Sequence, residues 1–280
     1  MTGFICVNKA QGVSSAREVA IIRRLTKTSC GHMGTLDPMA TGVLPVAIGN
    51  AARLFDYLSD KRKTYVATFR FGVDSDTLDI TGNIIENAGR VPTGAEIESV
   101  LKNFTGEIMQ VPPRYSAKNI GGKRGYELAR AGVEFELAPK KVRVYSIKLI
   151  ECNNCDYSFE IECGGGTYIR SLARDIAKSL GTCAAMSALE RTKSGYFTIN
   201  SSVSTDVLTA ENVKDYIIPT ESVLPYDSIY PTDREAFKLF NGLSIPCGRD
   251  DGIYKIYNNG GFYGLAEVNN STLKVRTKLC

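Results

Sequence analysis

A chain of 280 residues is long enough to bury a sizeable core, as one large domain or as a large and a small one. With 43% hydrophobic and 23% charged residues it has the make-up of a globular protein, and no apolar run reaches the ~18 residues of a membrane helix. Eight scattered cysteines, a net charge of only +4 and no charged region followed by a long apolar one at the start point to a reduced, cytoplasmic protein rather than a secreted disulfide framework.

In chain order, residues 4–7 read as a short strand and 15–27 as a helix, with Ser15 and Glu18 in capping-box spacing. Residues 43–48 are strand-like, 50–58 helix-like, and 65–71 alternate as a half-buried strand does. Thr93 and Glu96 open a helix running to about 103. The β-patterned stretches 141–151 and 156–163 flank Asn153-Asn154, a favoured hairpin turn, so Cys152 and Cys155 are expected to face each other as thiols. A zinc reading of that Cys-x-x-Cys lacks a second pair, and the only histidine is His32. A helix over 168–180 is closed by Gly181. After an irregular stretch with Pro219, Pro225 and Pro231, Thr232 and Glu235 cap a short helix, and strands follow at 253–257, 261–268 and 272–278. Strands with interspersed helices define an α+β class with a mixed or antiparallel sheet, and residues 230–280 form a small appended module.

Two stretches carry more than fold. Residues 31–44 hold His32 and, five positions on, Asp37 between Leu36 and Pro38, among three glycines. Glycine opens positive φ and proline fixes φ, so backbone shape is being specified around one carboxylate. A tight turn capped by Asp37 is the plain alternative to a site. Between Arg114 and Arg143, eight basic residues meet three acidic ones, a local charge of +5 against +4 for the whole chain. That is the footprint of a polyanion partner, or else a solvated charged face. Asp74, Asp76 and Asp79 do not make a calcium loop, because Leu78 stands where a ligand is needed.

The run Gly-His-x-Gly-Thr-Leu-Asp-Pro-x-Ala-Thr-Gly-Val-Leu at 31–44 resembles the catalytic-aspartate motif of the bacterial tRNA pseudouridine synthase B (TruB) family. Further matches follow in order: Lys63-Thr64-Tyr65, residues 72–82 ending Asp79-Ile80-Thr81-Gly82, Val111-Pro112-Pro113 with Ser116-Ala117, Gly166 to Leu172, and Leu189-Glu190-Arg191 leading to Gly195. The resemblance spans about residues 3–225 and implies a pseudouridine-synthase-like sheet core with flanking helices over 1–225. It also implies a PUA-like RNA-binding module over 230–280, whose own sequence signal is low. The implied activity is isomerisation of the T-loop uridine of tRNA to pseudouridine by base flipping. The same chemistry on ribosomal RNA, an RNA-folding chaperone, and an aspartate glycosidase are the competing readings, the last lacking a paired carboxylate near Asp37.

The resemblance assigns roles to individual residues. Asp37 is the essential carboxylate and Arg170 its guanidinium partner. Tyr65 stacks on the flipped base and is placed to assist proton removal from it, Leu189 packs beneath that tyrosine, and Tyr168 belongs to the pocket; read alone, Tyr65 is more often a core position, and Leu189 and Tyr168 are equally so. His32 positions substrate, the alternative being a general base, since an imidazole titrates near neutrality. Asp79 supports the cleft. Lys9 lies by an RNA-facing loop, although Ala10 replaces the proline relatives carry there. Lys118, Lys123, Arg124, Arg130, Lys140, Lys141 and Arg143 belong to a mobile arm that closes over tRNA. The reaction is redox-neutral and needs no group donor, so no cofactor and no metal are expected, and neither a membrane nor an obligatory protein partner; a monomer is expected.

Overall fold

The computed structural model describes residues 1–116, 119–120 and 122–279, which divide into two compact units. Lys118, expected to contact RNA, lies outside the described residues, as do the side chains of Lys123, Arg124 and Arg130.

One unit comprises residues 1–37, 43–60 and 195–280. Strand Gly3–Lys9 lies beside Thr41–Ile48, and Cys30–His32 runs antiparallel to the latter with His32 opposite Val46. Helix Ser15–Thr26 is capped by Ser14, whose side chain accepts from the Arg17 N–H, and not by Ser15 as the capping-box spacing predicts. The reason is that both members of the expected box are used elsewhere. The Ser15 hydroxyl bonds the Leu36 backbone, and the buried Glu18 carboxylate accepts from the Thr205 hydroxyl at 2.7 Å. Residues 49–57 form a 3-10 helix. The C-terminal part follows the predicted pattern, with Thr232 capping Asp233–Phe240 and a five-stranded sheet in the order Ser228–Ile229, Gly252–Asn258, Gly261–Asn269, Thr272–Lys278, Ile245–Pro246. Its Leu265 and Leu279 share one buried cluster with Phe4, Val43 and Leu54.

The second unit comprises residues 38–42 and 61–194. Its sheet runs Ala184–Ser194, Lys63–Phe71, Asp156–Cys163, Lys140–Asn153, Gly106–Gln110, with every neighbour antiparallel. One face is apolar: Phe69, Phe71, Tyr157, Phe159 and Ile161 are buried, each adding about 1.5–3 kcal/mol by leaving water. Helix Ile169–Ser179 packs on that sheet through Leu172, Ala173 and Ile176 and ends at Gly181 in the left-handed conformation, as expected. The hairpin turns one residue later than Asn153-Asn154 predicts. Asn154 takes φ +52°, Asn153 pairs with Asp156, and Cys152 consequently faces Tyr157 rather than Cys155. Both cysteines are thiols.

Helix Gly94–Leu101 shows the predicted capping box with Thr93 and Glu96. Arg90, then the Thr93 backbone and hydroxyl, hold the Glu96 carboxyl down at about 2. A depressed carboxylate stabilises fully above its ordinary value near 4.5 and loses that contribution as pH falls toward 2. The thermal midpoints of wild type and Glu96→Gln are therefore expected to differ near neutral pH and to converge below about pH 2; a gap that is the same at both ends would remove this ionic contribution.

Candidate active site

Asp37 stands at the end of a loop whose backbone is tied at several points within its own unit. The Met33 N–H donates to Pro45 O at 2.8 Å, Gly34 takes φ +123°, and Leu36 is buried. Asp37 is half-buried, as is His32 five residues earlier. Lys9 departs from expectation. Its ammonium is wholly buried and donates to the carbonyls of Ala10 and Val13 at 2.9 and 2.7 Å, so it shapes the loop leading to Ser14 instead of offering a charge to solvent.

Arg170, Asp79 and Tyr168 come together in the other unit. Arg170 sits in the first turn of helix Ile169–Ser179 with its side chain 8% exposed. One guanidinium nitrogen donates to Thr77 O at 3.0 Å and lies 3.2 Å from Asp79 Oδ2, and the other donates to Tyr115 O at 2.9 Å. The resemblance pairs Arg170 with Asp37; within this unit its carboxylate partner is Asp79. Asp79 is itself buried, its second oxygen accepting from the Thr77 hydroxyl, the Thr81 N–H and the Thr81 hydroxyl. The loop that presents it is tied to strand Ala184–Ser194 by Ile80 N–H to Met186 O and Met186 N–H to Leu78 O, both 3.0 Å. Leu78 is held there at φ +62°, a costly conformation for a leucine. A side chain on Gly82 would press on the Asp76 carboxylate and the Thr77 hydroxyl and displace them from the bonds that tie the loop. The three aspartates thus form a loop of internal bonds, and among the described residues no cluster of acidic, histidine or cysteine groups could hold a metal ion.

Tyr168 is the residue preceding that helix. Its N–H donates to Gln110 Oε1 at 2.8 Å and its carbonyl accepts from Gln110 Nε2 at 3.0 Å. Gln110 is buried and is invisible to sequence reasoning, because a glutamine ending a strand has no distinguishing pattern. Ser171 secures the same turn by donating to Val111 O.

Tyr65 and Leu189 lie on adjacent strands. Tyr65 is opposite Arg191 and Leu189 opposite Ala67, so alternation places all four on one sheet face, where Tyr65 and Leu189 are 6% and 8% exposed. Arg191 is fully buried beside Gly42, whose φ of +94° excludes any side chain, as does its close approach: a Cβ there would lie 2.4 Å from Arg191 O. Burial and the nearby Arg191 lower the Lys63 pKa at the same sheet end, and burial pushes the Cys163 thiol up to about 11. Of the described arm residues, Lys140 and Arg143 are exposed, Arg143 lying 5.5 Å over the Tyr145 ring, while Lys141 is ion-paired with Glu107 at 2.6 Å.

Against this background the relatives are informative. Residues 23–169 match the TruB family pseudouridylate synthase N-terminal domain, and residues 170–230 match the tRNA pseudouridylate synthase B C-terminal domain. A tRNA pseudouridine synthase B of Caldicellulosiruptor saccharolyticus is 40% identical over 86% of this chain and 83% of its own. That of Clostridium novyi is 38% identical over the full length of both. Among solved structures, the crystal structure of a Cbf5-Nop10-Gar1 complex aligns at 25% identity with a TM-score of 0.71, over 99% of this chain and 85% of that one. The class is thereby set: an RNA-modifying isomerase of the pseudouridylate synthase type. The chain belongs to the TruB family.

Proposed function

We propose that this isomerase converts the T-loop uridine of tRNA, position 55, to pseudouridine. The observation that carries the reading is the intact aspartate motif at 31–44 in a chain that matches the tRNA pseudouridine synthase B of Clostridium novyi over the whole of both chains. The reaction breaks an N-glycosidic bond, turns the base over and rejoins it through carbon. Attack on the sugar and abstraction of a sugar proton both need one ionised carboxylate, and Asp37 fills that role. Arg170 supplies the positive charge of the set. Tyr65 serves as the platform for the extruded base, with Leu189 packed under it, since an unstacked base needs a π-face. Tyr168 lines the pocket and His32 steers the flipped nucleotide. Asp79 holds Arg170 and its loop in shape.

The test is release of tritium from a tRNA transcript labelled at uridine C5. Release from the wild-type transcript and none from one carrying cytidine at the T-loop position supports the assignment. Release that is unchanged by that replacement, or that occurs only on ribosomal RNA, overturns it.

The basic stretch supports a second expectation. Neutralising Lys118, Lys123 and Arg124 together should flatten the salt dependence of tRNA binding by up to about 2.7 in log–log slope, at roughly 0.9 per phosphate contact. The chemical step at saturating RNA should change less than binding. An unaltered slope would mean that these charges form a solvated face.

A further inference from the structure

We propose that Ser15 is a positioning residue for Asp37, an inference that rests on Asp37 being the working carboxylate. One buried hydroxyl, 3% exposed, makes two bonds to a single neighbour: Ser15 Oγ donates to Leu36 O at 2.9 Å and accepts the Leu36 N–H at 2.9 Å. The carbonyl of Leu36 and the nitrogen of Asp37 belong to one planar peptide group. Holding that carbonyl fixes the plane from which the Asp37 Cα projects. On the other side Pro38 restricts the residue before it to extended backbone. Asp37 is therefore bracketed, by a side chain twenty-two residues earlier and by the ring that follows it.

The helix that carries the clamp is held at three separate points, so that losing any one of them leaves Ser15 in place. Ser14 caps it, the Lys9 ammonium ties down the carbonyls of Ala10 and Val13 in the loop entering it, and Glu18 on the next turn takes the Thr205 hydroxyl at 2.7 Å. With Ser14 serving as the cap, the helix asks nothing of the Ser15 hydroxyl, which is spent wholly on the aspartate loop. A catalytic carboxylate on a loop gains its precision from such buried supporting bonds.

The experiment compares Ser15→Ala, Ser15→Cys, Thr205→Val and Asp37→Asn in the full chain, with three readouts: single-turnover rate at saturating tRNA, tRNA affinity, and thermal midpoint. Ser15→Ala is expected to slow the chemical step by roughly ten- to a hundredfold, the scale of an ångström-sized misplacement, with affinity within about threefold because phosphate contacts set it. Thr205→Val removes an equally buried bond from the same helix; it should lower the thermal midpoint and leave the chemical step within about threefold of wild type. Ser15→Cys, with longer and weaker bonds, should fall between. A Ser15→Ala rate within about threefold of wild type overturns the proposal, as does a Thr205→Val slowed equally. Should Ser15→Ala fail to fold, a folded Ser15→Cys at the wild-type rate overturns it in its place. Substantial activity in Asp37→Asn removes the reading on which the proposal rests; an inactive Asp37→Asn beside a fast Ser15→Ala removes the proposal alone.

Discussion

Replacing Asp37 by asparagine is expected to abolish turnover while leaving tRNA binding within a few-fold of wild type. The substitution keeps the shape of the side chain and the backbone bonds around it, among them Met33 to Pro45 and Leu36 to Ser15. What it removes is the negative charge, which on the proposed reading serves either to attack the sugar or to abstract a sugar proton. Affinity should hold because phosphate contacts, not a single carboxylate at the base, dominate RNA binding. Tritium release by Asp37→Asn, in single turnover with enzyme in excess, measures this directly. A residual rate above roughly a hundredth of wild type, a deficit of less than about 2.7 kcal/mol in the barrier, would take the essential role away from Asp37.

Most elements are legible in the sequence because their signals are local. Thr93 and Glu96 lie three apart and satisfy each other's backbone whatever surrounds them, and Thr232 and Glu235 repeat the device. Gly181 and the alternation of 65–71 are of the same kind. The misreadings have the opposite cause. Ser15 and Glu18 have capping spacing, but partners at Leu36 and Thr205 displace the local box, and nothing in residues 14–18 announces partners so distant. The Asn-Asn turn slips by one because either asparagine tolerates positive φ, and only pairing across the strands chooses Asn154. For the proposed site, the motifs are what single out Asp37 and Arg170. Asp79 as the buried partner of Arg170, Gln110 as the clamp on Tyr168, and the inward turn of Lys9 depend on contacts between segments that local patterns do not connect.

Arg170→Lys, conservative in charge, is expected to be severe in effect. The guanidinium reaches three acceptors in different directions, Thr77 O, Tyr115 O and Asp79 Oδ2, from two nitrogens held in one plane. A single ammonium on a flexible stem cannot reproduce that fork. At least one half-buried carbonyl, Thr77 O or Tyr115 O, loses its donor, a cost of about 1 kcal/mol, and the loop carrying Asp79 and Leu78 loses its brace. With Arg170 in the role proposed for it, the chemical step should fall by about a hundredfold or more. Arg170→Met should cost more stability than lysine, about 3–5 kcal/mol, because Asp79 is then left buried without its counter-charge. Adding Asp79→Asn to Arg170→Met relieves that uncompensated charge, so the double variant should lose less than the two single losses combined, by at least about 1 kcal/mol in a denaturant-unfolding cycle. Strict additivity would show that the ion pair does not couple the loop to the helix, and a lysine variant with near-wild-type rate would show that a point charge suffices where the structure places a fork.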